Sequence, residues 1–156
     1  MKKRDDIQRI CASLRDVVNP LFEGEAKVYY GPEIAKSKEP EVLRLRRQRA
    51  HFYWVAVPLG SFSFWELHAG AVVNPDTLRV RLGIHCLASA RPACEAFESL
   101  KTLCRAQGLE AYYSEAAGES QYVSSEYLAE GPEAVRSIAA GLYKLYDLAT
   151  KSLFVA

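Results

Sequence analysis

The side chains best suited to chemistry in this sequence are its histidines and one neighbouring glutamate. His51, His68 and His85 each lie in a segment rich in aromatic and β-branched residues, and Glu66 precedes His68 by two positions. An imidazole titrates near neutral pH and binds divalent metals, and a carboxylate beside it can orient it as a general base. Any such role depends on how the surrounding elements position these four side chains.

Three consecutive segments are predicted to be strands, at residues 51–57, 62–73 and 78–87, because they are rich in β-branched and aromatic residues. The sequences between them, Pro58-Leu59-Gly60-Ser61 and Asn74-Pro75-Asp76-Thr77, are typical of turns. Short strands joined by short turns indicate an antiparallel meander.

The third segment, residues 78–87, indicates which side chains of the sheet face the core. Side chains alternate across a strand, so a continuous apolar set must face the core. That set is Leu78, Val80, Leu82, Ile84 and Cys86, which leaves Arg79, Arg81, Gly83 and His85 on the opposite face.

The registers follow from matching apolar rows. Pairing Val73 with Leu78 places Glu66 opposite His85, and a two-residue Leu59-Gly60 turn, the favoured hairpin length, places His51 opposite His68. The predicted binding patch is therefore His51, Tyr53, Glu66, His68 and His85, bordered by Arg49, Arg79 and Arg81, with space left by Gly70 and Gly83. Neighbours at cross-strand distances of about 5 Å to 7 Å can converge on one ligand.

Large apolar residues share this predicted face, namely Val55, Phe62, Phe64 and Val72. A sheet face left to water is normally more polar than this. A homodimer would cover it, and so would the chain's own polar segment at 33–40, which is predicted to be a mobile loop.

Two functions are compatible with such a patch. The first is a non-enzymatic binding protein that docks a protein partner or an anionic ligand through Arg, His and aromatic side chains, with Phe64 as an apolar anchor. Nucleic acid is the lesser variant, since no recognition signature is present. Ordinary solvated cross-strand pairs would give the same residue types, so the patch alone does not establish a site.

The second function is a small hydrolase on the same face. His85 oriented by Glu66 would act as the acid or base, or His51, His68 and His85 would hold a divalent metal with an open position. Histidines placed by register are far less specific than H-E-x-x-H on a helix, so the binding function is preferred and no cofactor is expected.

The rest of the chain supplies helices and further strands. Helical spacing predicts a first helix over 7–18 stopped by Asn19-Pro20, a second from Pro92 to a cap at Gly108, and a last one opened by Gly131-Pro132. Strands are predicted at 110–114 and 121–128, and a strand lead-in or short helix at 42–47. The prediction is one α+β domain over 1–156, an antiparallel sheet with helices packed on one face.

Composition excludes several classes of protein. The 156 residues are 49% hydrophobic and 25% charged, with a net charge of +1, which gives no global attraction to nucleic acid or anionic membranes. No window approaches a transmembrane length of apolar residues, and polar residues interrupt any signal peptide. Cys11, Cys86, Cys94 and Cys104 lack zinc-site spacing, and buried thiols in a reducing cytoplasm are expected.

The order of elements, helix, meander, helix, two strands and helix, resembles that of the small dimeric chaperones of type III secretion systems. The resemblance covers most of the chain and lies in element order, without a residue motif. The strand candidates before His51 and the neutral charge depart from that mostly acidic family. The resemblance implies a dimeric protein that binds extended polypeptide, and fold alone does not establish function.

Overall fold

A computed structural model describes residues 2–30, 54–64, 66–74, 77–87, 91–114, 119–125 and 127–154. These residues form four helices and seven strands. In chain order the elements are α1 (Lys2–Leu21), β1 (Tyr29–Tyr30), β2 (Trp54–Pro58), β3 (Leu67–Val73), β4 (Arg79–Leu87), α2 (Arg91–Ser99), α3 (Lys101–Ala106), β5 (Glu110–Ser114), β6 (Glu119–Val123), β7 (Tyr127–Leu128) and α4 (Gly131–Phe154).

The described strands form one antiparallel sheet in the order β1-β2-β3-β4-β6-β5, and β7 also pairs with β4. The predicted α+β class is confirmed, and so are the β2-β3-β4 meander and the strand at 110–114. None of the described helices is long and apolar enough to cross a membrane.

The core lies between the sheet and its helices. The predicted apolar row of β4 is buried, with Val80 and Ile84 fully inaccessible to solvent, because α2 and α4 pack against this strand. Helices α1 and α4 pack on each other. Phe22, the residue after α1, contacts Tyr146 of α4 edge-on, with 4.9 Å between the ring centroids. The helices thus cover one face of the sheet and leave the His68 and His85 face on the other side.

The predicted register of β3 against β4 is wrong by two residues. Val73 pairs with Val80 rather than with Leu78, so His68 lies opposite His85 and Leu67 lies opposite Cys86. A shift of two keeps every side chain on its predicted face, because side chains alternate with a period of two.

The predicted register of β2 against β3 is also wrong, and here the faces change. Residues 59–66 form a longer connection in place of a Leu59-Gly60 turn, and Pro58 pairs with His68. Val55 consequently pairs with Ala71 and is fully buried on the core side. Within the connection, the carbonyl of Ser63 accepts hydrogen bonds from the N–H groups of Glu66 and Leu67, which makes one helical turn.

The premise of the predicted homodimer changes with this register. Val55 and Phe64 are buried within the chain, and Phe62 and Val72 are half-buried. The four residues therefore do not form an exposed apolar patch. The homodimer itself stays a prediction.

Two helix boundaries differ from the predicted ones. Helix α1 contains Pro20 near its end and stops at Leu21, one residue past the proline. A proline in the last turn removes one hydrogen bond but does not prevent the turn from closing. The predicted second helix is divided at Leu100 into α2 and α3, and Gly108, with φ 73°, follows α3 as the expected left-handed cap.

The predicted strand over 121–128 is interrupted by a β-bulge. Gly83 pairs with Val123 and Val80 pairs with Tyr127, so between these two pairs the residue number advances by four on one strand and by three on β4. Ser124 fills the interruption. Its N–H donates to the carbonyl of Leu82 at 2.8 Å, and its Oγ accepts the N–H of Leu82 at 2.9 Å.

Several predictions lie outside the described residues. These are the positions of Arg49, His51 and Tyr53, the loop at 33–40 and the element at 42–47.

Candidate functional site

Strands β3 and β4 bring two of the three histidines together. His68 lies directly opposite His85, their ring centroids are 4.8 Å apart, and the ring planes are inclined by 26°. Both side chains are buried, at 8% and 2% exposure. This stacked arrangement is called the histidine pair below.

Gly70 makes room for the ring of His68. Gly70 and Gly83 lie opposite each other, one step along the same face. A Cβ added at Gly70 would lie 2.9 Å from Cδ2 of His68, so the His68 ring occupies the space above this glycine. The gap predicted from the two glycines is therefore filled by an imidazole.

A hydrogen bond to the backbone orients the ring of His68. Nδ1 of His68 donates to the carbonyl oxygen of Phe64 at 2.5 Å, which places the ring proton of the neutral form on Nδ1. Gln121 of β6 lies opposite His85 in the register of β4 and β6. Both imidazoles are thus built into the sheet as structural groups.

Burial keeps the histidine pair neutral. Loss of hydration lowers the pKa of His68 to about 4, and the hydrogen bond to the Phe64 carbonyl offsets part of this effect. The pKa of His85 is lowered well below its ordinary value, first by burial and then by repulsion from a charged His68. A general base near neutral pH needs access to a substrate proton, which a ring at 2% exposure does not have in this conformation.

Glu66 does not lie opposite His85, which corrects the predicted carboxylate–imidazole pair. It precedes β3, and its Oε1 accepts the N–H of Ser63 at 3.1 Å. This bond closes the helical turn at Ser63 in the manner of a capping box, in which a glutamate reaches back to the residue three positions earlier. The half-buried carboxylate thus has a local structural role.

The remaining predicted contact residues are separated by the fold. Phe64 is buried, Arg81 is half-buried, and Arg79 is exposed at the far end of β4. Arg79 and His85 are six residues apart on one strand, about 20 Å at the rise of an extended chain. The described residues include no group of three or more His, Cys, Asp or Glu side chains that could hold a metal, and His51 of the predicted triad lies outside them.

A cleft that the sequence does not predict opens at the Arg79 end of the sheet. It has a volume of about 490 Å³ and lies between α1, the turn before β4, β7 and the start of α4. We call it the α1–β7–α4 cleft. Its apolar lining is Ile10, Val17, Leu78, Leu128 and Val135, and its charged lining is Arg9, Glu130 and Arg136.

The lining of the cleft combines exposed apolar surface with positive charge. Leu128 is 47% exposed and its neighbour Tyr127 45% exposed, so two adjacent large side chains present apolar surface to solvent here. Arg9 makes a surface ion pair with Asp6 at 3.3 Å, the kind of exposed contact that contributes little. Arg79 is the register partner of Leu128 on β4 and lies outside the cleft lining.

Leu78 lines the same cleft with a strained backbone. Its φ is 61°, and among the described residues it is the non-glycine with a positive φ. A left-handed conformation costs an ordinary residue about 1–2 kcal/mol, so glycine or asparagine would be expected here. Hydrogen bonds from Leu78 N to Asn74 O and from Asn74 N to Arg79 O hold the turn.

Strand β7 lies at an edge of the described part of the sheet. It pairs with β4 on one side, and no other strand in the described part of the chain pairs with it. Strand β5, which pairs with β6, would lie in line with any strand added beside β7. The cleft is therefore next to a place where a further strand could pair.

Sequence reasoning missed the cleft because its parts are distant in the chain. Residues from 9 to 136 contribute to it, and no local pattern connects them. One local signal was available: Tyr127 and Leu128 precede the Gly131-Pro132 start of α4 and are too apolar for a connecting segment.

Comparison with protein-family models, curated proteins and solved structures finds no match for the chain. The resemblance in element order to type III secretion chaperones thus stays a prediction. Function is inferred from the geometry of this chain alone.

Proposed function

We propose that this chain is a non-enzymatic binding protein that holds an extended polypeptide segment with acidic and apolar side chains in the α1–β7–α4 cleft. The observation that carries the proposal is the joint presence of exposed apolar residues and arginines around a cleft of about 490 Å³. Concave sites with an apolar lining and a few placed charged groups are the usual form of binding sites.

The open edge of β7 favours an extended peptide as the occupant. A peptide can add as a strand to an exposed sheet edge, where main-chain hydrogen bonds give affinity and alternate side chains enter pockets. Tyr127 and Leu128 present both a backbone edge and exposed apolar side chains. A compact small molecule would leave the edge unused.

Charge favours acidic residues in that peptide. The cleft lining carries Arg9 and Arg136 against the single carboxylate of Glu130, and Arg79 lies next to Leu128 in register. A guanidinium group binds carboxylates with two parallel hydrogen bonds, which lysine cannot do. A peptide with carboxylates at alternate positions would meet these groups on one side.

This proposal retains one residue of the predicted patch as a contact for the ligand and gives the buried residues a structural role. Arg79 stays a contact residue, whereas His68, His85 and Phe64 are buried and support the sheet from within. The proposal is of the kind that the sequence favours, a binding protein that docks a protein partner or an anionic ligand.

The experiment is selection from a library of short random peptides displayed on phage, with the purified full chain as bait. Sequences that bind should be enriched in alternating apolar and acidic residues. Affinities of synthetic peptides from the selection would then be measured by fluorescence polarisation. Leu128→Asp should weaken binding about thirtyfold or more if Leu128 is an anchor, and Arg136→Glu about tenfold.

A matched control is Arg105→Glu, the same charge reversal at an exposed position on α3, away from the cleft. It should leave the affinity unchanged. If Arg136→Glu and Arg105→Glu lost affinity equally, the loss would come from the change in overall charge, and the proposed binding site would be wrong. Selection of the same peptides by Leu128→Asp as by the parent chain would overturn it as well.

A further inference from the structure

Two of the four cysteines lie within contact distance of each other. Sγ of Cys86, on β4, and Sγ of Cys94, in the first turn of α2, are 3.6 Å apart. Cys86 is buried at 1% exposure, and Cys94 is half-buried. Neither is joined to another cysteine by a disulfide.

The distance is close to what a disulfide requires. A disulfide has its two sulfurs about 2.05 Å apart, so the pair must approach by about 1.5 Å. A change of side-chain torsion moves a cysteine sulfur by at least that much, because the sulfur swings about the Cα–Cβ bond between staggered positions. The strand and the helix therefore need not separate or unfold for the bond to form.

Cys11 and Cys104 are as buried as Cys86, whereas solvent reaches Cys94. Burial raises the pKa of Cys11 to about 12 and that of Cys104 to about 11, which keeps them as unreactive thiols. Cys11 lies on α1 and Cys104 on α3. They serve as internal controls for any chemistry at Cys86 and Cys94.

We propose that Cys86 and Cys94 form a redox modification site that a hydroperoxide oxidises to a disulfide. The Cys94 thiolate, which solvent reaches, attacks the peroxide; the O–O bond breaks, Cys94 becomes a sulfenic acid, and the alkoxide takes the thiol proton and leaves as an alcohol. The Cys86 thiolate then attacks the Cys94 sulfur; the S–S bond forms, the S–O bond breaks, and the hydroxide takes the Cys86 proton and leaves as water. Two thiols lose two electrons in total, and the hydroperoxide gains them.

The consequence of this bond is a covalent tie between the sheet and α2. Cys86 follows His85 on β4 and pairs with Leu67 on β3, so the tie would lie on the helix-covered face of the sheet, opposite the face of the histidine pair. In a reducing compartment disulfides of this kind are transient, formed under oxidative conditions and removed by thiol exchange. The modification does not depend on the proposed peptide binding.

The test uses the full chain, reduced and then treated with hydrogen peroxide at a small molar excess. We expect titratable thiols under denaturing conditions to fall from four to two and the intact mass to fall by two hydrogens. Proteolysis and mass spectrometry should identify a linked peptide pair containing Cys86 and Cys94, and dithiothreitol should restore the four thiols.

Variants of single cysteines distinguish the role of Cys94, which attacks the peroxide, from that of Cys86, which attacks the sulfenic acid. In Cys86→Ala, peroxide should leave a sulfenic acid on Cys94 that dimedone traps, whereas Cys94→Ser should form neither product. Cys94 is half-buried, so its serine variant keeps the test valid even if the buried Cys86 variant fails to fold. Cys104→Ala should still form the disulfide. Oxygen addition without loss of two hydrogens, or linkage that includes Cys11 or Cys104, would overturn the proposal.

Discussion

His68 and His85 lie opposite each other across β3 and β4 with their ring centroids 4.8 Å apart, and both are shielded from water. Two imidazolium cations at this distance would repel each other strongly in a medium of low dielectric constant. The pair is therefore stable only in its neutral form, and the sheet carries a built-in sensitivity to acid.

The first prediction is a loss of stability on acidification. The folded-state pKa of His68 is about 4, below the ordinary 6.5, so between these values the unfolded chain binds more protons than the folded one. The stabilising effect of a neutral His68 is complete above about pH 6.5 and falls as the pH drops towards 4. The loss amounts to about 3 kcal/mol in the free energy of unfolding, and His85 adds to it in the same direction.

Urea unfolding at pH 7.5 and pH 4.5 measures this loss. Carboxylates also titrate in this range, so His68→Phe is the control: it keeps a ring above Gly70 and removes the proton site. The variant should show a flatter dependence on pH than the parent chain. An NMR titration that gave His68 an ordinary pKa near 6.5 would contradict the prediction.

The second prediction concerns Gly83, where the backbone of β6 approaches most closely. A Cβ at this position would collide with the carbonyl oxygen of Tyr122, which is backbone and cannot turn aside. Gly83→Ala should therefore lower the free energy of unfolding by about 1–3 kcal/mol, the usual cost of overpacking, and disturb the Ile84–Tyr122 pairing.

Gly141→Ala is the matched control in α4. A Cβ there would meet Cδ1 of Leu82 at 2.8 Å, but this is the end of a flexible side chain. Alanine also gains about 1 kcal/mol over glycine in a helix interior, which offsets the contact. Thermal unfolding that showed equal destabilisation in both variants would contradict the role assigned to the β6 backbone.

The fold was predictable because its signals are local. Alternation along residues 78–87 predicts the buried face of β4, and the spacing from Gly131 onwards predicts α4. Strand registers were less predictable, because the apolar residues of two neighbouring strands still face each other after one strand is shifted by two residues. The β2–β3 connection differs from the prediction because Ser63-Phe64-Trp65-Glu66 is an S-x-x-E capping sequence, while its aromatic residues favour a strand.

The candidate sites were likewise predictable only where they depend on local sequence. Placing two histidines on one face of β3 and β4 needed only alternation, and the structure agrees. Their burial was not predictable, because it depends on how closely the elements around them approach. The cleft joins Arg9, Leu128 and Arg136 from opposite ends of the chain, and the contact of Cys86 with Cys94 depends on how α2 returns to β4.

The third prediction concerns Ser124 in the β-bulge. Its Oγ accepts the buried N–H of Leu82 and donates to the carbonyl of Ser125 at 2.8 Å. Ser124→Ala leaves the Leu82 N–H without this acceptor, at a cost of about 1–3 kcal/mol in the free energy of unfolding. Because the bulge positions β7 against β4, the variant should also weaken peptide binding. Ser125→Ala, at an exposed position, should change neither quantity.

The fourth prediction separates a structural Glu66 from a catalytic one. Oε1 of Glu66 accepts the N–H of Ser63, and the amide oxygen of glutamine can do the same. Glu66→Gln should therefore stay within about 0.5 kcal/mol of the parent chain in the free energy of unfolding, whereas Glu66→Ala should lose about 1 kcal/mol with the cap. Denaturant unfolding of the three proteins measures both differences. If the carboxylate were needed to orient His85, the glutamine variant would instead shift the ring resonances and the pKa of His85, and NMR spectra of the two histidines would show it.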